Sequence, residues 1–460
     1  MAAAGIQIET FRDPAGSLRI AGDRVLRRVR REHAGAALEF LRSETAQTWV
    51  AQGKLIATEF LAEADGELTL EHPRVSFPSY PWEWTPDEWM AAAELTLDLC
   101  EGLLERGLIL KDATPLNVLF RGAAPVFVDV LSVDARDRES PVWLAYGQFV
   151  RTFLLPLAAY KTLGWPLAAT LEKRDGYEPA DLAPYLGRWQ RWREPFRSLV
   201  TMPLMLERNA GNSGAARAAE VRQQPEAALA VLRRNLESLR KNLEMLAPRE
   251  SDTRWSRYTQ TAGHYSAEDQ KLKKQFVREA LTAAQPKRVL DLGANTGAYS
   301  RIAAECGAEV VAWDTDVQAS EQNRREAKKR KLAITALVAN PARPTPAAGW
   351  RNAESLSLLE RARGRFDCVM MLGLIHHLLL SEQIPLKEIV ALARELTTNW
   401  AIVEWVPAKD PRFQDLLRGR DDLYGHLNER ALLDACEEHF TVVRREELPN
   451  RRVLFLLQAV

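Results

Sequence analysis

The stretch Val289-Leu290-Asp291-Leu292-Gly293-Ala294-Asn295-Thr296-Gly297 decides how the C-terminal part of this chain folds. An apolar strand from Arg288 to Leu292 runs into a turn punctuated by glycine, and a helix begins near Ala298-Tyr299-Ser300. A turn of this kind passes close beneath a ligand, which demands residues with little side chain. A second apolar strand, Glu309 to Trp313, follows about twenty residues on and ends in Asp314, where a carboxylate accepts both hydroxyls of a ribose. Strand, glycine turn, helix, strand and acid make a nucleoside-binding βαβ unit.

A dinucleotide turn places glycine at G-x-G-x-x-G. Here Asn295 holds the middle position and Ala298 the third. Asp291, inside the turn, would repel a pyrophosphate. It would attract the cationic amino-acid end of S-adenosylmethionine, directly or through water. The stretch resembles motif I of class I S-adenosylmethionine-dependent methyltransferases. The resemblance implies a cofactor cradle of Asp291, Gly293, Asn295, Gly297 and Asp314. The plainer alternative is an ordinary α/β turn whose glycine packs against the core.

Bulk composition narrows the field. With 460 residues there is room for two or three domains with real cores. Lys and Arg number 62, and Asp and Glu number 62, which argues against nucleic acid as the main partner and against a polybasic membrane anchor. The basic run Arg324 to Lys331 falls on the helix after the Asp314 strand and reads as a solvated face. Cys100, Cys306, Cys368 and Cys436 are far apart and form no C-x-x-C pair. That pattern speaks against zinc and a disulfide framework and fits a cytoplasmic protein. The first ten residues lack the pattern of a signal peptide. The apolar stretch Phe153 to Leu171 is broken by Pro156, Lys161 and Pro166, so no membrane span is expected.

Three blocks follow along the chain: 1–205, a linker with an amphipathic helix over 206–250, and 251–460. The middle block opens on a loop, Asn209-Ala-Gly-Asn-Ser-Gly-Ala, and continues as a helix from about Pro225 to Leu246. Leu229, Leu232, Leu236, Leu239, Leu243 and Leu246 alternate at spacings of three and four, a single narrow apolar stripe. Docking on a neighbouring domain is the favoured use of that stripe. A homodimer seam is the other. Pro248 ends the helix.

The last block alternates helix and strand, with strands expected at Arg288–Leu292, Glu309–Trp313, Ile334–Ala339, Phe366–Leu372 and Trp400–Val406. Two more follow near Phe440–Arg444 and Val453–Gln458. Five strands separated by helices and then a closing pair predict an α/β doubly wound, Rossmann-like sheet with an antiparallel edge. The methyltransferases named above share this seven-strand order, so the resemblance covers the whole block. Ligands sit outside the carboxyl ends of such strands. Asp291, Asp314, Asn340, Leu372 to His377, and Glu404 occupy those ends. Asn340 stands where relatives often place an acid that contacts adenine, and its carbonyl still accepts a hydrogen bond. His376 and His377 are candidate general bases, His377 the better one by the resemblance, and Glu404 is a further candidate. One of the two histidines could equally cap a helix while the other packs. Tyr258, His264 and Tyr265 precede the first strand, where this class often lids the cofactor. Gly349 to Glu354 could line the acceptor pocket or form a surface loop. The signatures of adenine, glutamine or cytosine methylation are absent.

The N-terminal block carries a second motif. Leu110-Lys111-Asp112-Ala113-Thr114-Pro115-Leu116-Asn117-Val118-Leu119-Phe120 precedes a turn at Arg121 to Ala124 and a strand ending in Asp129. This resembles the catalytic loop and metal-binding strand of protein-kinase-like phosphotransferases. The resemblance implies an α+β kinase-like domain with Asp112 orienting the acceptor hydroxyl, and Asn117 and Asp129 holding Mg²⁺ on ATP. Helices are expected at about Pro86 to Arg106 and Trp143 to Leu155. The departures are large. Leu110 replaces the usual His, Val-Leu-Ser follows Asp129, and Asp13-Pro14-Ala15-Gly16-Ser17 is a poor phosphate loop. Arg28 or Lys54 would have to serve as the phosphate-pairing lysine. Here the alternative is a hairpin whose acids lie on the surface.

The two-part layout, with the phrases Leu-Lys-Asp-Ala-Thr-Pro and Trp-Leu-Ala-Tyr-Gly-Gln-Phe, resembles a family of bacterial class I methyltransferases related to a nodulation protein. It implies methylation of a small-molecule or glycan-like acceptor on oxygen or nitrogen. A phosphotransferase using Asp112, Asn117 and Asp129, alone or as a second activity, and a non-catalytic binding protein are the other readings.

Overall fold

The computed structural model describes residues 8–10, 12–210, 224–248, 266–417, 424 and 427–460. The lid expected from Tyr258, His264 and Tyr265 lies outside them. The chain divides into two compact units: Met1–Phe120 with Pro125–Arg249, and Arg121–Ala124 with Glu250–Val460.

In the first unit, β1 (Ile8–Glu9), β2 (Gly16–Ala21), β3 (Arg24–Val29), β4 (Glu59–Ala64) and β5 (Glu67–Pro73) form one antiparallel sheet in the order β1-β2-β3-β5-β4. Edge strand β4 is exposed along its length and carries Glu59 and Glu63, charges that discourage pairing with another edge. Gly16 is required by the sheet, since a Cβ there would stand 2.1 Å from the Arg28 carbonyl oxygen.

The helix Pro86–Leu104 starts at a capping box: the Glu88 amide donates to Thr85 Oγ1 at 3.3 Å, and Glu88 accepts the Thr85 amide at 2.8 Å. Beyond it lie β6 (Leu108–Leu110), β7 (Val118–Arg121), β8 (Ala124–Phe127) and β9 (Val133–Ala135), with β6 paired to β9 and β7 to β8. The expected helix over Trp143 to Leu155 begins later, at Tyr146, and runs on to Leu163 through a π turn at Val150–Leu154. That wider turn stands just before Pro156, whose ring and missing N–H would disrupt a regular α ladder.

The helix Pro225–Leu246 belongs to this unit and is not a separate linker. Leu232, Leu236, Leu239, Leu243 and Leu246 are all buried in the same core as Trp89, Leu97 and Leu103. Arg240 donates to Asp98 and Glu101, each at 3.0 Å. Lys161 Nζ holds the last carbonyls of the helix, Met245 at 2.7 Å and Ala247 at 2.8 Å. The leucine stripe is therefore consumed within the unit. The homodimer seam expected along Leu229–Leu246 is not shown, since Leu232, Leu236, Leu239, Leu243 and Leu246 pack within the unit and Leu229 is partly buried against the same core.

The second unit is built on a seven-stranded sheet of β10 (Arg288–Leu292), β11 (Glu309–Asp314), β12 (Ile334–Val338), β13 (Phe366–Met371), β14 (Thr397–Trp405), β15 (Phe440–Glu447) and β16 (Val453–Ala459). Its order is β12-β11-β10-β13-β14-β16-β15, parallel through β14 and antiparallel at the last two. The parallel strands are near-continuous buried apolar runs, as helix cover on both faces requires. Strand β15 alternates toward solvent with Arg444 to Glu447 and closes the edge. The direction of winding reverses between β10 and β13, and ligands in open α/β sheets bind at such a switch point.

Among the described residues, no helix is long and apolar enough to cross a membrane. No cluster of His, Cys, Asp and Glu among them suits a metal ion. The basic run is not wholly a solvated face, since Arg324 is buried.

Candidate functional site

At the switch point a cavity of about 360 Å³ opens above the carboxyl ends of β10, β11 and β13. Its wall includes Gly293, Asn295, Asp314, Asn340, Leu372 and His377. The turn after β10 is shaped by three residues with positive φ, Gly293 at 71°, Asn295 at 50° and Gly297 at 76°. Asn is among the few non-glycine residues that tolerate this region. The two glycines serve different ends. Gly293 forms the floor of the cavity. Gly297 does not line it, and a Cβ on Gly297 would stand 1.8 Å from Asn323 Oδ1 on the helix Val317–Arg330. Its smallness serves helix packing.

Asp314 is pinned by backbone. Its carboxylate accepts the Asn295 amide at 2.7 Å and the Asp316 amide at 2.8 Å. Burial pushes its pKa up, and these amides pull it back. Each carboxylate oxygen keeps a further lone pair for a hydroxyl donor. Asn340 Oδ1 accepts the Ala342 amide at 2.8 Å, which fixes the side chain at the far end of the cavity.

Asp291 lies behind the wall, 2% exposed, and accepts a 2.6 Å hydrogen bond from Ser300 Oγ. Burial raises its pKa from 3.8 to about 6, helped by Asp314 and opposed by Ser300 and Lys273. It is not among the residues that line the cavity.

The histidines separate cleanly. They stand on the short helix Ile375–Leu380 with ring centroids 4.3 Å apart. His376 is buried, whereas His377 lines the cavity. Successive helical residues point about 100° apart, which allows one of the pair to face the cleft.

Glu404 does not serve as expected. It is fully buried, 2.7 Å from Lys273 Nζ, and 3.6 Å from Arg452 Nη1. These two cations hold the carboxylate inside the fold, and it is not among the residues that line the cavity. It is corrected from base candidate to structural anion. Trp350 is 63% exposed and its loop, closed by a bridge between Ala348 and Ser355, is a surface feature away from the cavity.

Lys273, Tyr299 and Arg452 also line the cavity and were not singled out from sequence. A signal for Lys273 existed. It shares the buried face of the helix Ala267–Ala284 with Phe276, Val277 and Ala280, a cation on an apolar stripe. Arg452 carried no such signal.

In the first unit, Asp112, Asn117 and Asp129 come together. Ser132 Oγ donates to Asp129 Oδ2 at 2.5 Å and accepts from Asn117 Nδ2 at 3.2 Å. Burial raises the Asp112 pKa, and Asp129 and Asp13 add to the rise. The cation of this cluster is Arg27, 2.9 Å from Asp129 and 4.0 Å from Asp13. Arg28 instead points outward to Glu67, and Lys54 pairs with Asp98. Alternation along β3 explains the difference, because Arg27 and Val29 share the inner face and Arg28 takes the outer one.

Residues 265–448 match the family model described as a methyltransferase domain. The nodulation protein NoeA of Rhizobium meliloti (strain 1021) is 28% identical over 469 residues, covering 98% of this chain and 95% of its own length. Among solved structures, the bifunctional kinase-methyltransferase WbdD is similar at 19% identity and a TM-score of 0.31, over 42% of this chain and 40% of that one. The chain therefore spans well under half of WbdD. The N-methyltransferase NodS from Bradyrhizobium japonicum WM9 is similar at 11% identity and a TM-score of 0.31, over 42% of this chain and 98% of its own. Residues 265–448 thus carry a methyltransferase domain, and the chain is an enzyme of that kind.

Proposed function

We propose that this enzyme transfers a methyl group to an oxygen or nitrogen of a small-molecule or glycan-like acceptor, with His377 as the base. The observation that carries this reading is one cavity whose wall holds both Asp314 and His377. When bound, S-adenosylmethionine supplies an activated methyl on a sulfonium whose leaving group is neutral. The chain then has to align and desolvate the acceptor. Asp314 orients the ribose, and Asn340 contacts the adenine. Leu372 and Leu374 exclude water from the reacting centre. His377 takes the proton that a hydroxyl loses as its new bond forms, or that an ammonium must lose before its nitrogen can attack. Zinc and nucleophilic cysteine have no part, since the reading needs only direct displacement.

The test is methyl transfer from labelled S-adenosylmethionine to fractionated pools of small metabolites and oligosaccharides. Label in such a fraction, with an equal yield of S-adenosylhomocysteine, is expected. Cofactor binding with no turnover in any pool would instead favour a non-catalytic binding protein. Asp314→Ala should weaken cofactor binding by about 1–3 kcal/mol, and calorimetry showing unchanged affinity would remove Asp314 from the site.

A second reading rests on the cluster of Asp112, Asn117, Asp129 and Arg27 in the first unit. We read it as a kinase-like site in which Asn117 and Asp129 would hold Mg²⁺ on ATP and Asp112 would face the acceptor hydroxyl. Arg27 would take the role of the phosphate-pairing lysine.

A further inference from the structure

We infer that Lys273, held in place by Glu404, is the anchor for the carboxylate of the cofactor's amino-acid end. The inference rests on the cofactor reading of the cavity and adds a residue to it.

Sheet order gives the direction. Asn340 and Asp314 follow β12 and β11, so the adenine and ribose ends of a bound nucleoside lie on that side. The amino-acid end must then extend across β10. Lys273, Tyr299 and Arg452 line the same cavity, and Lys273 stands on the helix Ala267–Ala284, which packs on β14 and β16, beyond β10 in the sheet order.

Lys273 is built for this use. It is 4% exposed, yet it forms part of the cavity wall. A lysine is seldom buried without cause, because an ammonium loses its hydration there. Its position is fixed from two sides. Glu404 Oε2 lies 2.7 Å from Nζ, and the Tyr299 ring centroid lies 4.7 Å away. Glu404 is itself shared with Arg452, 3.6 Å off, and Arg452 is paired with Asp410 at 2.8 Å. Among the described residues these contacts join two buried cations, Lys273 and Arg452, to two buried acids, Glu404 and Asp410. A carboxylate arriving at Lys273 meets a preorganised cation, and no side chain must be recruited from water.

The neighbouring charge completes the match. The Lys273 ammonium lowers the pKa of Asp291, which places the two opposite charges within each other's field. An amino-acid end carries one ammonium and one carboxylate on a single carbon. Asp291 favours the first and Lys273 the second. Arg452 faces two acids, Asp410 at 2.8 Å and Glu404 at 3.6 Å, where Lys273 faces Glu404, so Arg452 serves as the brace of Glu404 and Lys273 as the anchor.

The test is calorimetric binding of two nucleosides to the full chain: S-adenosylhomocysteine, and its decarboxylated analogue, which keeps the ammonium. In wild type, S-adenosylhomocysteine should bind tighter by about 10- to 100-fold, the range of a hydrogen bond to a charged group. Lys273→Met should erase that difference by weakening S-adenosylhomocysteine alone. Because this change strands a buried Glu404, the double variant Lys273→Met with Glu404→Gln is measured beside it and should give the same pattern. If both nucleosides weaken together, or neither does, Lys273 is not the carboxylate anchor. If wild type binds neither nucleoside, the cofactor reading itself falls and the anchor with it.

Discussion

Asp291 shows how one residue can matter to a cavity that it does not line. Its carboxyl is raised to about 6 by burial. A raised acid contributes stability that is full below its unfolded value near 3.8 and lost as pH rises through about 6. Ligand affinity runs the other way, since only the ionised form attracts the cofactor's cationic end. S-Adenosylmethionine affinity should therefore fall as pH drops from 7.5 to 5.5. Asp291→Asn should flatten the dependence, and an unchanged slope in that variant would relocate the titrating group. His377 makes a sharper case. His377→Ala should lower turnover by roughly 10²–10⁴ with cofactor affinity almost intact, whereas His376→Ala should act through packing. Full turnover by His377→Ala in an acceptor assay would leave catalysis to alignment alone. The difference between the two histidines was half legible in sequence. Helical geometry says that one faces the cleft, and only the fold says which.

Among the secondary-structure elements, what could be read ahead was whatever depends on local period. All seven strands of the second unit were expected within a few residues of where they lie; the five parallel ones are buried apolar runs between helices, and β15 and β16 form a closing antiparallel pair. Features that depend on long-range neighbours were hidden. Gly297 and Gly293 look alike in sequence, and only the approach of Asn323 tells packing from ligand clearance. Arg27 against Arg28 turns on the phase of β3, and Arg452 lies in the turn between β15 and β16, more than a hundred residues after the glycine turn. The helix Pro225–Leu246 was ambiguous for the same reason, as a leucine stripe does not name its partner. Its burial now makes a prediction. Leu239, 0% exposed, should cost about 2–5 kcal/mol when changed to Ala, read as a lower denaturant midpoint. The hydrodynamic size should stay that of wild type. Dissociation of an oligomer in that variant would restore the dimer seam that the packing argues against.

For the whole molecule, the two units give the chain two separate stabilities to report. The proposed cofactor site lies within the second unit, in residues that follow Glu250. A ligand stabilises only the body that it binds, by about 2.7 kcal/mol at a hundredfold excess over its Kd. Calorimetric unfolding should thus show two transitions, of which S-adenosylhomocysteine raises one. The cluster of Arg27, Asp112, Asn117 and Asp129 belongs to the first unit, so Mg²⁺ with ATP should raise the other if the kinase-like reading holds. The two ligands then act as labels for the two bodies, and each control is the other's experiment. A single transition raised by S-adenosylhomocysteine would mean that the units unfold as one. Two transitions with no response to millimolar Mg²⁺ and ATP would end the phosphotransferase reading. The ion pair of Arg27 with Asp129 would then be a brace between β3 and the loop after β8, and Arg27→Met should lower the melting temperature of that unit without changing methyl transfer.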